Sequence, residues 1–257
     1  MTTTIAIASG KGGVGKTTIS VNLSLSLVLQ NKETLLLDAD LGMANSHILL
    51  GINPKFTLDD FVTGKSSIDD VITITKDKLK FISGGSAINN LLNLSDLERH
   101  KIIQSFNNIK KRPEYMLIDV GAGAEASSMS FMASSDKIII VLTGEPTSFI
   151  DAYSLIKAAF LDYKINNFGI VLNMTVSEMQ AKLNFNKFQS ITQKFLDVNL
   201  KYLGHVNSSQ KIRNSIISRT PLMSKNKKNS DTQYFDNISQ ALSLLDSNNT
   251  GSIKFFD

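Results

Sequence analysis

The residues most suited to chemistry lie near the start of the chain. Gly10, Lys11, Gly12, Gly13, Val14, Gly15, Lys16, Thr17 and Thr18 follow a short apolar run and precede a segment rich in aliphatic residues. Glycines in such a loop let backbone N–H groups turn inward and approach phosphate oxygens. A lysine at the position of Lys16 neutralises β/γ-phosphate charge, and a hydroxyl at Thr17 can ligand Mg²⁺. The spacing matches G-x-x-x-x-G-K-T throughout, so the expected ligand is ATP with Mg²⁺. Gly10, Gly12 and Gly15 also satisfy the dinucleotide pattern G-x-G-x-x-G. Lys16 and Thr17 argue against that rival, because a dinucleotide turn needs neither a phosphate lysine nor a metal ligand.

Acidic partners follow at the ends of two further apolar runs. Asp38 and Asp40 close the run that begins at Thr34, and their spacing puts both on one face of an extended chain. Asp119 closes the run from Tyr115 and is followed by Gly121 and Gly123. One carboxylate can support the metal while another orients the attacking water. Glycines after Asp119 would let that loop move when γ-phosphate leaves. Asn173 ends another apolar run, and its amide offers both a donor and an acceptor to a purine edge.

These groups need a frame. Residues 4–8, 34–37, 115–118, 137–142, 169–172 and 202–206 read as strands, most of them apolar throughout, as expected for strands covered on both faces. Residues 95–110, 147–160 and 232–245 carry apolar side chains at helical spacing. The alternation implies an α/β fold: a doubly wound, mainly parallel sheet flanked by helices. Ile19, Val21, Leu23, Leu25 and Leu27 alternate like a strand, but Lys16 and Thr17 require a helix N-terminus there. Residues 63–75 and 224–230 read as surface connections, and 247–252 as linker-like.

The 257 residues suffice for a single domain, expected over 1–246, with a tail at 247–257. There is no cysteine, which excludes disulfides, thiolate zinc sites and cysteine-ligated clusters. His47, His100 and His205 are scattered, so a histidine metal site is not expected. The first residues carry no basic segment of the kind that opens a secretion signal. The net charge of +4 argues for neither DNA nor membrane. A cytoplasmic protein is expected, with the inner face of the cell membrane as its one peripheral location.

Lys11 is an addition to the ordinary phosphate loop. The form K-G-G-x-G-K-T-T resembles that of the deviant Walker A ATPases, the MinD/ParA family of the SIMIBI class of P-loop NTPases. The resemblance implies a Mg-dependent ATPase that forms a homodimer when ATP is bound, with Lys11 reaching the other subunit's nucleotide. It gives Lys16 and Asp40 catalytic roles, with Asp40 activating water. Thr17, Asp38 and Asp119 fall to the metal, and Asn173 to the adenine. Three stretches are similar to the FlhG/FleN flagellar number regulators: D-A-D-L-G-M-A-N-S-H-I-L-L-G over residues 38–51, D-V-G-A-G over 119–123, and E-P-T-S-F-I-D-A-Y-S-L-I-K over 145–157. A protein partner in flagellar assembly is therefore expected.

Three departures are visible. No Gln- and Arg-rich activation motif precedes residue 5, His47 stands where an acid is expected, and the tail's Ile253, Phe255 and Phe256 make only a weak membrane anchor. The alternatives are a ParA-type partitioning ATPase binding DNA through Lys211, Arg213, Arg219, Lys225, Lys227 and Lys228, and a MinD-type division-site regulator. An amide-forming ligase of the same fold ranks lower, since no substrate domain or nucleophile is evident.

Overall fold

The computed structural model describes residues 1–40, 45–85, 95–225 and 230–256. The chain alternates strands and helices. The strands are β1 (Thr3–Ala8), β2 (Thr34–Ala39), β3 (Thr73–Ile74), β4 (Lys80–Ser83), β5 (Tyr115–Val120), β6 (Lys137–Leu142), β7 (Asn167–Thr175) and β8 (Asn199–Asn207). They form one sheet in the order β3-β4-β2-β5-β1-β6-β7-β8. All neighbours are parallel except β3 and β4, which pair antiparallel at the edge.

The described helices are α1 (Lys16–Leu29), α2 (Ser46–Leu50), α3 (Leu58–Val62), α4 (Asp96–Ser105), α5 (Ala126–Ala133), α6 (Pro146–Tyr163), α7 (Glu178–Gln193), α8 (Gln210–Ile217) and α9 (Thr232–Ala241). Because side chains alternate across a strand, β1 feeds two cores. Ala6 and Ala8 face the core shared with α4, α5, α6 and α7, while Ile5 and Ile7 face the one shared with α1 and α9. This is the doubly wound arrangement that the apolar runs imply.

Two local expectations need correction, and two elements escape the sequence reading. The segment 63–75 ends in an edge strand, because Thr73 and Ile74 pair with Phe81 and Lys80. Its partner β4 and the helix α7 also escape the sequence reading. Two residues are too few for a period, and α7 has polar residues between its buried Ala181, Phe185, Phe188 and Thr192.

The tail is not a linker. The Asn248 side chain accepts from the backbone N–H groups of Asn166 and Asn167 and donates to the Asn167 carbonyl. Phe255 is buried edge-on to Phe106 and stacked on Phe131, and Lys254 Nζ donates to the carbonyls of Ala133, Ser135 and Asn248.

The ambiguous alternation in α1 has a simple cause. Every residue from Ile19 to Leu27 is buried, so the helix has no polar face to reveal its period. Its serines find partners within the helix or on its neighbours. The Ser24 hydroxyl donates back to the Ser20 carbonyl, and that of Ser26 donates to Asp236 on α9.

Candidate nucleotide site

The loop between β1 and α1 lies at the carboxyl edge of the sheet, where open α/β sheets place their ligands. Gly15 precedes α1 with φ of 84°, and a Cβ there would stand 2.2 Å from Asn173 Nδ2. Only glycine fits that position. Gly10 is constrained differently, since its Cβ would meet the Asp151 carbonyl carbon on α6 at 2.1 Å. The loop is therefore pressed between α6 and the end of β7.

A cavity of about 540 Å³ opens above the loop. Gly12, Gly13, Gly15, Lys16, Thr17, Thr18 and Asp40 line it, with Gly121, Met174 and Ile216 among the remaining walls. The backbone N–H groups at the start of α1 face this space without a side-chain cap, a natural seat for phosphate.

Beneath the cavity lies a buried polar cluster. Lys16 Nζ is 2.9 Å from Asp119 Oδ1, with both side chains almost fully enclosed. Ser20 Oγ donates to the same oxygen at 2.9 Å, and Ser46 Oγ donates to Asp119 Oδ2 at 3.3 Å. Asp38 and Asp119 are register partners on adjacent strands. Asp38 accepts from the backbone N–H of Ser46 at 2.8 Å and of Asp40 at 3.3 Å. Burial, reinforced by the neighbouring Asp119 carboxylate, pushes the Asp38 carboxyl up to about 7.

The donor set suits Mg²⁺. The expected ligands are all oxygen, from Asp38, Asp119 and the Thr17 hydroxyl, and the two buried carboxylates are neighbours while Lys16 pairs with Asp119. That imbalance of charge is what a divalent cation would relieve. Among the described residues no group of protein ligands holds a metal unaided. Phosphate and water would complete the shell.

The remaining expected residues are placed as follows. Asp40 lines the cavity, and a Cβ on Gly121 would stand 3.8 Å from its Oδ1, so the loops after β2 and β5 converge there. Gly123 N–H donates to the Ser9 carbonyl at 2.8 Å and ties the glycine loop to the phosphate loop. Asn173 is buried and donates to the Val14 carbonyl at 2.7 Å, so it braces the loop from behind and is absent from the cavity wall. Lys11 folds onto its own chain, 3.0 Å from both Glu145 Oε2 and Thr147 Oγ1 at the start of α6.

Ser20, Ser46, Glu145, Thr147, Met174 and Ile216 are site residues that the sequence reading misses. Ser20 follows Lys16 by one helical turn, which was a usable signal. Ser46 carried none, because its hydroxyl's partner Asp119 is remote in sequence. Leu41 to Ala44, within the acidic motif, lie outside the described residues.

The family model described as ParA, NUBPL iron-transfer P-loop NTPase, matches residues 1–243. The antiactivator FleN of Pseudomonas aeruginosa is 33% identical over 98% of this chain and 91% of its own length. The chain belongs to the MinD/ParA family of P-loop ATPases. The flagellum site-determining protein YlxH of Helicobacter pylori is 28% identical over 84% of the chain and 73% of its length. The cell division ATPase MinD of Pyrococcus furiosus has a similar structure, with a TM-score of 0.76 and 26% identity over 95% of this chain and 99% of that one.

The similarity to FleN agrees with the FlhG/FleN character of the sequence motifs. Members of the MinD/ParA family are Mg²⁺-dependent ATPases that dimerise with ATP and serve as switches in positioning a cellular structure. Among the described residues no helix is long and apolar enough to cross a membrane.

Proposed function

We propose that this chain is an ATP-gated dimerising switch whose hydrolysis resets the placement of a cellular structure. The observation that carries this reading is the buried pairing of Lys16 with Asp119 beneath the phosphate loop. A phosphate offers Lys16 a better-matched partner, and releasing Asp119 frees a carboxylate toward the metal. Nucleotide binding thereby reaches the loop holding Gly121 and Gly123, which is the expected switch. Thr17, Asp38 and Asp119 would hold Mg²⁺, which neutralises charge on the transferred phosphoryl group. Asp40 would position the attacking water, and Asn173 would hydrogen-bond the adenine. Lys11 would exchange Glu145 for the nucleotide of a second copy.

Two specific roles fall under this reading. A division-site or partitioning role draws on the wider set of MinD relatives and the MinD structures. A flagellar role draws on FleN and YlxH and on the E-P-T and D-A-Y motifs of α6. For either role a protein partner is proposed, and the groove between α6 and α7 supports it. Phe149, Tyr153 and Phe188 line this groove of about 440 Å³, and Ile150, Ile191 and Phe195 stand exposed around it. A DNA-binding reading would rest on Lys211, Arg213 and Arg219, which are exposed; Lys227 and Lys228 lie outside the described residues.

Deleting the gene and counting both flagella and septa per cell separates the roles. Altered flagellar number with normal septa supports the FleN-like role; misplaced septa support the MinD-like one. Purified protein that neither binds ATP with Mg²⁺ nor changes its oligomeric state would overturn the switch itself.

A further inference from the structure

Ser46 is the first residue of α2 and is fully buried, where the following Leu49 and Leu50 present apolar side chains to the core. Nothing about packing calls for a hydroxyl there. Its backbone N–H donates to Asp38 Oδ2 at 2.8 Å, and its hydroxyl donates to Asp119 Oδ2 at 3.3 Å. Those acids are neighbours on β2 and β5, and Lys16 and Ser20 occupy only the other oxygen of Asp119. The position is an open one in the acidic motif, so the motif itself assigns it no role.

We propose that Ser46 is a positioning residue for the metal, orienting both carboxylates. This rests on the assignment of Asp38 and Asp119 to Mg²⁺ made above. Adjacent buried carboxylates repel one another and turn apart unless donors hold them. Lys16 is the donor that leaves when phosphate arrives. Ser20 and Ser46 then remain on opposite oxygens of Asp119, and Ser46 alone of these touches Asp38 as well. Outer donors to metal-ligating carboxylates typically set affinity by about 10–100-fold.

The test is binding of a fluorescent ATP analogue with Mg²⁺ and in EDTA, together with ATPase rate against Mg²⁺ concentration. Ser46→Ala should raise the Mg²⁺ half-saturation about 10-fold or more. Affinity in EDTA should stay within about 2-fold of wild type, because the phosphate loop is untouched. Ser46→Thr keeps the hydroxyl and should return the half-saturation toward wild type. An unchanged Mg²⁺ curve in Ser46→Ala, or an equal loss with and without Mg²⁺, overturns the proposal while leaving the metal assignment standing. Wild-type protein whose nucleotide binding ignores Mg²⁺ would instead remove the assignment on which it rests.

Discussion

At the residue scale, three groups around one cavity should fail in different ways. Lys16 is the only cation bonded to the buried acids among the described residues, and its place beneath the phosphate seat is fixed by Asp119. Lys16→Ala should abolish nucleotide binding and not merely turnover, which calorimetry with ATP and Mg²⁺ reads directly. Asp40 sits at the cavity wall instead. Asp40→Ala should keep ATP binding while hydrolysis falls about 10²-fold or more, since a misplaced water gains nothing from the rest of the site. Wild-type hydrolysis in that variant would move the water-positioning role elsewhere. Asp38 makes a prediction about pH. Its folded-state carboxyl is raised to about 7 from 3.8. The stability from its protonated form is therefore complete below the lower value and lost as pH rises through the upper one. In EDTA, the melting temperature of Asp38→Asn minus that of wild type should grow from about pH 5 to about pH 8. A flat difference would mean that Asp38 ionises normally.

At the element scale, the phosphate loop is held from both sides by parts of the chain far away in sequence. Asn173 at the end of β7 takes the Val14 carbonyl, and Asp151 on α6 leaves no room beside Gly10. Gly15→Ala would impose a left-handed backbone on alanine, costing about 1 kcal/mol or more, and would drive Cβ into Asn173. The expected result is a lower melting temperature and a weaker ATP affinity. Adding Asn173→Ala should recover part of the stability lost to the collision, though not the part due to backbone strain. A thermal melt of the single and double variants checks this. No recovery would show that the brace does not press on the loop.

At the scale of the whole molecule, one exposed contact and one buried tail matter. The Lys11–Glu145 pair is exposed, so its loss should cost the isolated chain little. Light scattering should then find wild type monomeric without ATP and dimeric with it, and Lys11→Ala able to bind ATP yet monomeric. A variant that still dimerises would confine Lys11 to its own chain. The tail makes the opposite demand. Phe255 is buried between Phe106 and Phe131, so Phe255→Ala should destabilise the domain by about 3–5 kcal/mol. Denaturant unfolding reads this, and an unchanged midpoint would mean that the tail is detached in solution.

The sequence by itself determined the frame and pointed to the ligand. The apolar runs ending at Ala8, Asp38, Asp119 and Leu142 are strands because segments buried on both faces must be apolar throughout. The loop from Gly10 to Thr18 could be read because phosphate chemistry demands particular residues at particular spacings along one short segment. What depended on distant neighbours could not be read that way. The short pair β3 and β4 owes its structure to cross-strand bonding, and the tail's place depends on a hydrophobic socket built by residues 106 and 131. Asn173 offers an amide suited to a purine, and that the same amide also donates to the Val14 carbonyl is visible only in the fold. Ser46 was one serine among many until β2 and β5 came side by side and placed two carboxylates against it. Local spacing records only what one segment needs; which acids share a charge, and which hydroxyl holds them, is decided when strands distant in sequence become adjacent.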